Sequence, residues 1–215
     1  MRFNNREHAA DLLVERLRPQ YKNKNPLVLG VPRGAVPMAK IIADALGGEL
    51  DVVLVHKLSH PESPELAIGA IDESGKSFIS EWAADLDPAY LEAEKKRQLE
   101  VLRRRRAAYT PLRAPIDPRG RIVIVVDDGI ATGSTMTAAL RAVRAKNPKK
   151  LVGAVAVAST SAARAMLQEC DAMVCLNVPH DFYAVGQFFD DFGQVTDEDV
   201  IAILKQQKPK VSAVG

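Results

Sequence analysis

Val125–Thr135 reads VVDDGIATGST, and the five residues that lead into Asp127, Ile122–Val126, are all β-branched. An unbroken run of that kind marks a strand buried on both faces of a sheet. It ends in two carboxylates, Asp127 and Asp128, followed by Gly129. Neighbouring side chains of a continuing strand point to opposite faces. Two acids serving one ligand therefore require the backbone to leave the sheet here, and Gly129 is the residue best able to make that turn. Next come Ile130, Ala131, Thr132, Gly133, Ser134 and Thr135, and the small residues among them open a helix. The unpaired amides and partial positive charge of a helix start favour an anion. The hydroxyls of Thr132, Ser134 and Thr135 add donors.

The same strand, tight loop and helix pattern recurs on either side. Leu27–Val31 is a short apolar run, then Pro32, Arg33 and Gly34, then a helical pattern through Leu46 that stops at Gly47 and Gly48. Asp51–His56 repeats the strand signal, and Leu151–Ala158 and Met173–Val178 supply two more strands, with a helix over Ser161–Glu169 between them. Such alternation predicts a parallel sheet covered on both faces. Before it, His8–Leu17 is an amphipathic helix capped by Asn4 or Asn5 and ended by Pro19. Leu66–Ile71 and Ser77–Ile79 flank a Glu-Ser-Gly turn and predict a hairpin, with Ser59–Glu65 as a mobile, proline-broken segment. Asp87 and Pro88 start a long charged helix whose Leu91, Leu99, Leu102 and Tyr109 share one face. Phe182–Phe192 is aromatic and irregular, ahead of a helix starting near Thr196 or Asp197.

With 215 residues, 47% of them hydrophobic and 26% charged, the chain has the makings of one globular domain. Lys and Arg number 29 against 27 acids, so net charge gives no push toward nucleic acid or membrane. The longest apolar run, Leu151–Ala158, is far short of the roughly 20 residues that span a bilayer. With only Cys170 and Cys175 and no apolar leader, a cytoplasmic location is expected.

Adjacent carboxylates a few residues from an anion nest suit a ligand with vicinal hydroxyls at one end and a phosphate at the other, which is the shape of ribose 5-phosphate. The same acids could hold Mg²⁺ through water, since Mg²⁺ takes oxygen ligands and keeps much of its hydration shell. Val125–Thr135 resembles the PRPP-binding signature of the type I phosphoribosyltransferases, and Gly30–Ala35, GVPRGA, is similar to the pyrophosphate loop of that family. The resemblance spans Pro26–Leu176. It implies an α/β, three-layer fold with a mostly parallel central sheet flanked by helices, a flexible flap over Ser59–Ile79, and a small hood. The whole chain, 1–215, would be one domain, with its core over about 26–176 and the hood from about 1–25 and 177–215.

The implied activity is Mg²⁺-dependent transfer of the 5-phosphoribosyl group from PRPP to a nitrogenous acceptor, such as a nucleobase, with release of pyrophosphate. PRPP would lie on Pro32, Arg33, Gly34, Lys57, Asp127, Asp128, Gly129, Ala131, Thr132, Gly133, Ser134 and Thr135. Arg33, Lys57 at the close of the second core strand, Asp127 and Asp128 would carry the catalysis, Asp127 and Asp128 holding the metal through water. Ile130, Tyr183 and Phe188 would face the acceptor. Relatives acting on hypoxanthine and guanine carry an aspartate where this chain has Ala131, which points away from 6-oxopurines. A homodimer is expected, and no membrane or nucleic-acid partner.

Other readings of these residues are simpler. Asp127–Thr135 could be an acidic turn before an ordinary helix cap, Gly30–Ala35 a turn needing glycine for its backbone, and Lys57 a solvated lysine. His56 and His60 have metal-ligand spacing only on a helix, which Pro61 excludes. The seven basic residues of Lys95–Arg106 alternate with acids over an apolar stripe and read as a solvated face. Were they a nucleic-acid surface, the chain would be a PRPP-sensing regulator without transferase activity.

Overall fold

The computed structural model describes residues 1–63, 66–111 and 114–206. In chain order the elements are α1 (Arg6–Tyr21), β1 (Leu27–Gly30), α2 (Val36–Leu46), β2 (Glu49–Val52), β3 (Val55–Ser59), β4 (Ala67–Asp72), β5 (Ser77–Ile79), α3 (Pro88–Tyr109), β6 (Ile122–Ile130), α4 (Ser134–Arg144), β7 (Lys150–Ala158), α5 (Thr160–Met166), β8 (Ala172–Asn177) and α6 (Asp197–Lys205). Short 3-10 turns occupy Glu81–Ala83 and Val185–Phe188.

Five strands form one sheet in the order β2-β1-β6-β7-β8, and every adjacent pair is parallel. The α/β fold with a parallel central sheet is therefore as the sequence predicts. Val123–Val126 and Leu151–Ala158 are fully buried, so both central strands are covered on both faces. From β1 the chain moves through α2 to β2 on one side, and from β6 through α4 to β7 on the other. Right-handed crossovers in opposite directions put α2 and α4 on opposite faces. They also open a crevice beyond the carboxyl ends of β1 and β6, where the strand order reverses.

Four local expectations are corrected. First, α1 continues through Pro19 to Tyr21. The missing amide falls in the last turn, and burial of Leu13, Leu17 and Tyr21 against the core outweighs one lost bond. Second, Asp51–His56 is not one strand. β2 ends at Val52, and β3 starts a separate antiparallel sheet in the order β3-β4-β5, which packs on α3 and α4. Third, Lys57 does not close a strand of the central sheet. It lies exposed within β3, opposite Ala70. Fourth, the turn expected at Gly129 is not made.

The chain does not leave the sheet after the two acids. β6 runs on to Ile130, with Asp127 opposite Val155, Gly129 opposite Val157 and Ile130 opposite Ala158. Gly129 is needed for space, because a Cβ there would sit 2.5 Å from Val185 Cγ1 and 2.8 Å from Val157 Cγ1. The expected hairpin is present as β4 and β5. Residues 64 and 65 of the expected mobile segment and flap, and 207–215 of the expected hood, lie outside the described residues. No helix among the described residues is long and apolar enough to cross a membrane.

Candidate active site

Two loops and one strand end meet at the crevice. β1 and β6 are in register with Gly30 opposite Val126, so the loop that follows β1 lies beside Asp127 and Asp128. Val31 N donates to Val126 O at 2.9 Å and ties that loop to β6. The Pro32–Arg33 peptide is cis. Gly34 is pressed against the acids: a Cβ on it would stand 2.1 Å from Asp128 Oδ2. Arg33 is exposed and reaches Asp197, at the start of α6, only at 3.7 Å.

Because β6 continues, Asp127 and Asp128 leave it on opposite sides. Asp127 Oδ1 accepts from the Asp128 amide at 2.9 Å. Asp128 Oδ2 accepts from Arg6 Nε and from Arg6 Nη2, each at 2.9 Å, and these two side chains are 14% and 11% exposed. Burial pushes the Asp127 carboxyl well above the usual carboxylate range, and the Asp128 charge adds to it. Burial raises Asp128 as well, with Arg6 pulling against it. The pair is short of positive charge, and either a cation or hydroxyl donors would stabilise it.

The loop after β6 turns back at Gly133, whose φ of 84° is costly for any residue with a Cβ. Gly133 is also the N-cap of α4 and brings no side chain to satisfy that helix's first amides. Ala131, Thr132, Ser134 and Thr135 are exposed around it. Thr132 Oγ1 and Ser134 Oγ lie 3.2 Å apart. Ser159 fixes the outer side of the loop, its Oγ donating to Ala131 O at 2.6 Å and its amide to Ile130 O at 3.0 Å. The Ser134 amide reaches Thr132 Oγ1 at 3.4 Å, and the result is a rim of hydroxyls and helix-start amides suited to a phosphate.

Among the residues expected to face an acceptor, Ile130 is 3% exposed and Phe188 is 7% exposed. Phe188 packs on Phe182 with ring centroids 5.4 Å apart, so its ring is committed to the protein interior and offers no open face to a planar ligand. Tyr183 is 87% exposed, and its backbone is held because Gln187 Oε1 accepts from the Tyr183 and Ala184 amides.

Sequence reading missed Arg6, which sits 122 positions from its partner Asp128. A lone arginine at a helix start carries no signal of that pairing. It also missed Asp197, which reads only as part of a helix cap. Among the described residues no group of three or more His, Cys, Asp or Glu could enclose a metal by itself. Two neighbouring half-buried carboxylates nevertheless fit Mg²⁺, which is usually held by one or two acids together with substrate phosphates and water.

The Phosphoribosyl transferase domain family matches residues 4–192. A Mycobacterium tuberculosis protein, Rv0571c, a candidate phosphoribosyl transferase by name, is 40% identical over 216 residues, covering 99% of this chain and 48% of its own length. The chain thus spans about half the length of the curated relatives it matches. The crystal structure of TT1426 from Thermus thermophilus superposes with a TM-score of 0.86 at 47% identity, covering 95% of this chain and 98% of that one. With a parallel sheet, an acid pair at its switch point and a matching domain over most of its length, the chain belongs to the type I phosphoribosyltransferase family.

Proposed function

We propose that this chain transfers the 5-phosphoribosyl group of PRPP to a nitrogenous acceptor, such as a nucleobase, and releases pyrophosphate. The observation that carries the reading is the meeting of three features at one switch point: the uncapped α4 start, the under-compensated acid pair, and the Pro32–Arg33–Gly34 loop pressed on Asp128.

In this reading the amides and hydroxyls of Thr132–Thr135 hold the 5-phosphate. Asp127 accepts hydrogen bonds from ribose hydroxyls, Asp128 backs the diphosphate loop from the other side of β6, and Gly129 and Ala131 lie beneath the sugar. Pro32, Arg33 and Gly34 line the diphosphate. A bond forms between the acceptor nitrogen and C1 of the ribose while the bond from C1 to the diphosphate oxygen breaks, and the acceptor's proton passes to solvent. Arg33, exposed and only loosely tied to Asp197, is free to turn onto the leaving group, where its charge counts most as the bond breaks.

Mg²⁺ would be held through water by Asp127 and Asp128. When bound it would neutralise charge on the diphosphate. Lys57 belongs to the reading as a second cation for the diphosphate, reached from β3. Tyr183 supplies an open aromatic face for a planar acceptor. A homodimer and a cytoplasmic setting complete the proposal.

The sensor reading loses support from α3. Lys95 pairs with Glu92, Arg97 with Glu94 and Arg104 with Glu100, and Arg106 is turned inward. Three of the seven basic residues are thus paired within their own helix and a fourth is drawn to other elements. The test is pyrophosphate release from PRPP and Mg²⁺ across a panel of purines, pyrimidines and related heterocycles. Release that tracks nucleotide formation is expected with at least one of them. Tight PRPP binding with silence across the panel would favour the sensor.

A further inference from the structure

We infer that Arg6 is a positioning residue that seats the diphosphate loop through Asp128 while leaving the 5-phosphate loop untouched. The inference rests on the transferase reading above. Arg6 ties α1, β6 and the segment after β8 together at the crevice. Two of its nitrogens hold Asp128 Oδ2, its Nη1 donates to Gly193 O at 2.6 Å, and its guanidinium lies 3.9 Å from the centre of the Phe192 ring. Phe192 and Gly193 are themselves anchored nearby. Phe3 N donates to Phe188 O at 2.8 Å, Asp190 N to Phe3 O at 2.9 Å and Asp191 N to Asn4 O at 2.8 Å, so the two chain segments run together as a belt.

That belt bears on Gly34. The Asp128 oxygen that Arg6 holds is the same atom that a Cβ at Gly34 would strike, and Arg6 Nη2 would lie 3.1 Å from that Cβ. Arg6, Asp128 and the backbone of Gly34 thus form a single contact. Without the guanidinium, a half-buried carboxylate next to Asp127 has lost its counter-charge and one of its fixed edges, and Gly34 has lost the surface it lies on. The Ala131–Thr135 loop is fixed from elsewhere, by Ser159 and by the turn at Gly133. The two halves of a PRPP site would therefore respond differently to the loss of Arg6.

The test is calorimetric titration of the full chain with pyrophosphate and, separately, with ribose 5-phosphate, both with Mg²⁺ present. Arg6→Gln should weaken pyrophosphate by at least about tenfold, as expected when one partner of a buried charge pair is removed. Ribose 5-phosphate should change less than about twofold, since its cradle keeps its own supports. Arg6→Lys should recover part of the loss, since it restores charge but cannot span Asp128 and Gly193 together. Gly34→Ala crowds the same contact from the loop side and should reproduce the Arg6→Gln pattern even if that variant folds poorly. Equal weakening of both ligands, or no change in either, would overturn the inference and leave the transferase reading standing. A wild-type chain that binds neither ligand would overturn both.

Discussion

Asp51 near the end of β2 is buried and Asp127 near the end of β6 is half-buried, and their surroundings differ. Asp51 receives Arg106 Nη1 at 2.9 Å, the Val52 amide at 2.8 Å and the Ile116 amide at 2.9 Å, while Glu73 takes the remaining guanidinium edge at 2.5 and 2.6 Å. That cluster is closed, and it joins β2, β4 and the end of α3. At Asp127 and Asp128 one arginine serves two acids and touches only one of them. The helix starts repeat the contrast. Asn5, Asp87, Ser159 and Thr196 cap α1, α3, α5 and α6 with side-chain oxygens, whereas α2 and α4, which begin at the crevice, have Ala35 and Gly133 in that place. At the Asp51 cluster and at these four helix starts the chain satisfies its polar groups internally, whereas at the two crevice helices no side chain does so.

The largest effect should follow from opening the closed cluster. Arg106→Met leaves Asp51 and Glu73 without their cation and should cost about 3–5 kcal/mol of stability by urea denaturation. A loss below about 1 kcal/mol would erase the contrast between the two acid groups.

At the crevice the sign should reverse. Asp127→Asn should weaken PRPP by at least about tenfold in calorimetry, yet raise the melting temperature at neutral pH by about 2 °C or more. The reason lies in the raised Asp127 carboxyl. Its contribution to stability is full below the ordinary carboxylate range and is lost as pH rises through the folded value. Wild-type stability should therefore fall more steeply than that of Asp127→Asn between the ordinary carboxylate range and neutrality. Parallel curves would show that the acid carries no such burden.

Giving α4 the kind of cap that α6 has sharpens the comparison further. Gly133→Asp places a carboxylate among the open amides, and ribose 5-phosphate binding should drop about tenfold or more through repulsion and the competing cap. The smallest effect is the converse. Thr196→Ala strips the cap from α6 and should cost about 1 kcal/mol, read as a melting shift of about 2–4 °C, with PRPP affinity unchanged.

The sheet was legible because its signals are local: β-branched runs such as Ile122–Val126, glycine stops such as Gly47 and Gly48, and the Asp87 and Thr196 caps all act within a few residues. The site loops were legible for the same reason. What sequence reading lost was set by contacts between distant segments. The run Asp51–His56 looked continuous because its apolar residues lie on both sides of a break at which Arg106, from α3, donates to the Val52 carbonyl. The turn expected at Gly129 rested on the need for two acids to share a face. The strand instead continues, and the glycine answers to Val157 on the neighbouring strand and to Val185 in the 3-10 turn packed beside it. Arg6 left no trace at all, because its pairing with Asp128 exists only once the start of α1 is folded against β6.

A crystal structure of the chain with ribose 5-phosphate tests the central claim most directly. The account places the phosphate within about 2.7–3.2 Å of the amides at the start of α4, with the ribose hydroxyls on Asp127. A sugar phosphate bound elsewhere, or a crevice that stays closed to it at saturating concentration, would contradict it.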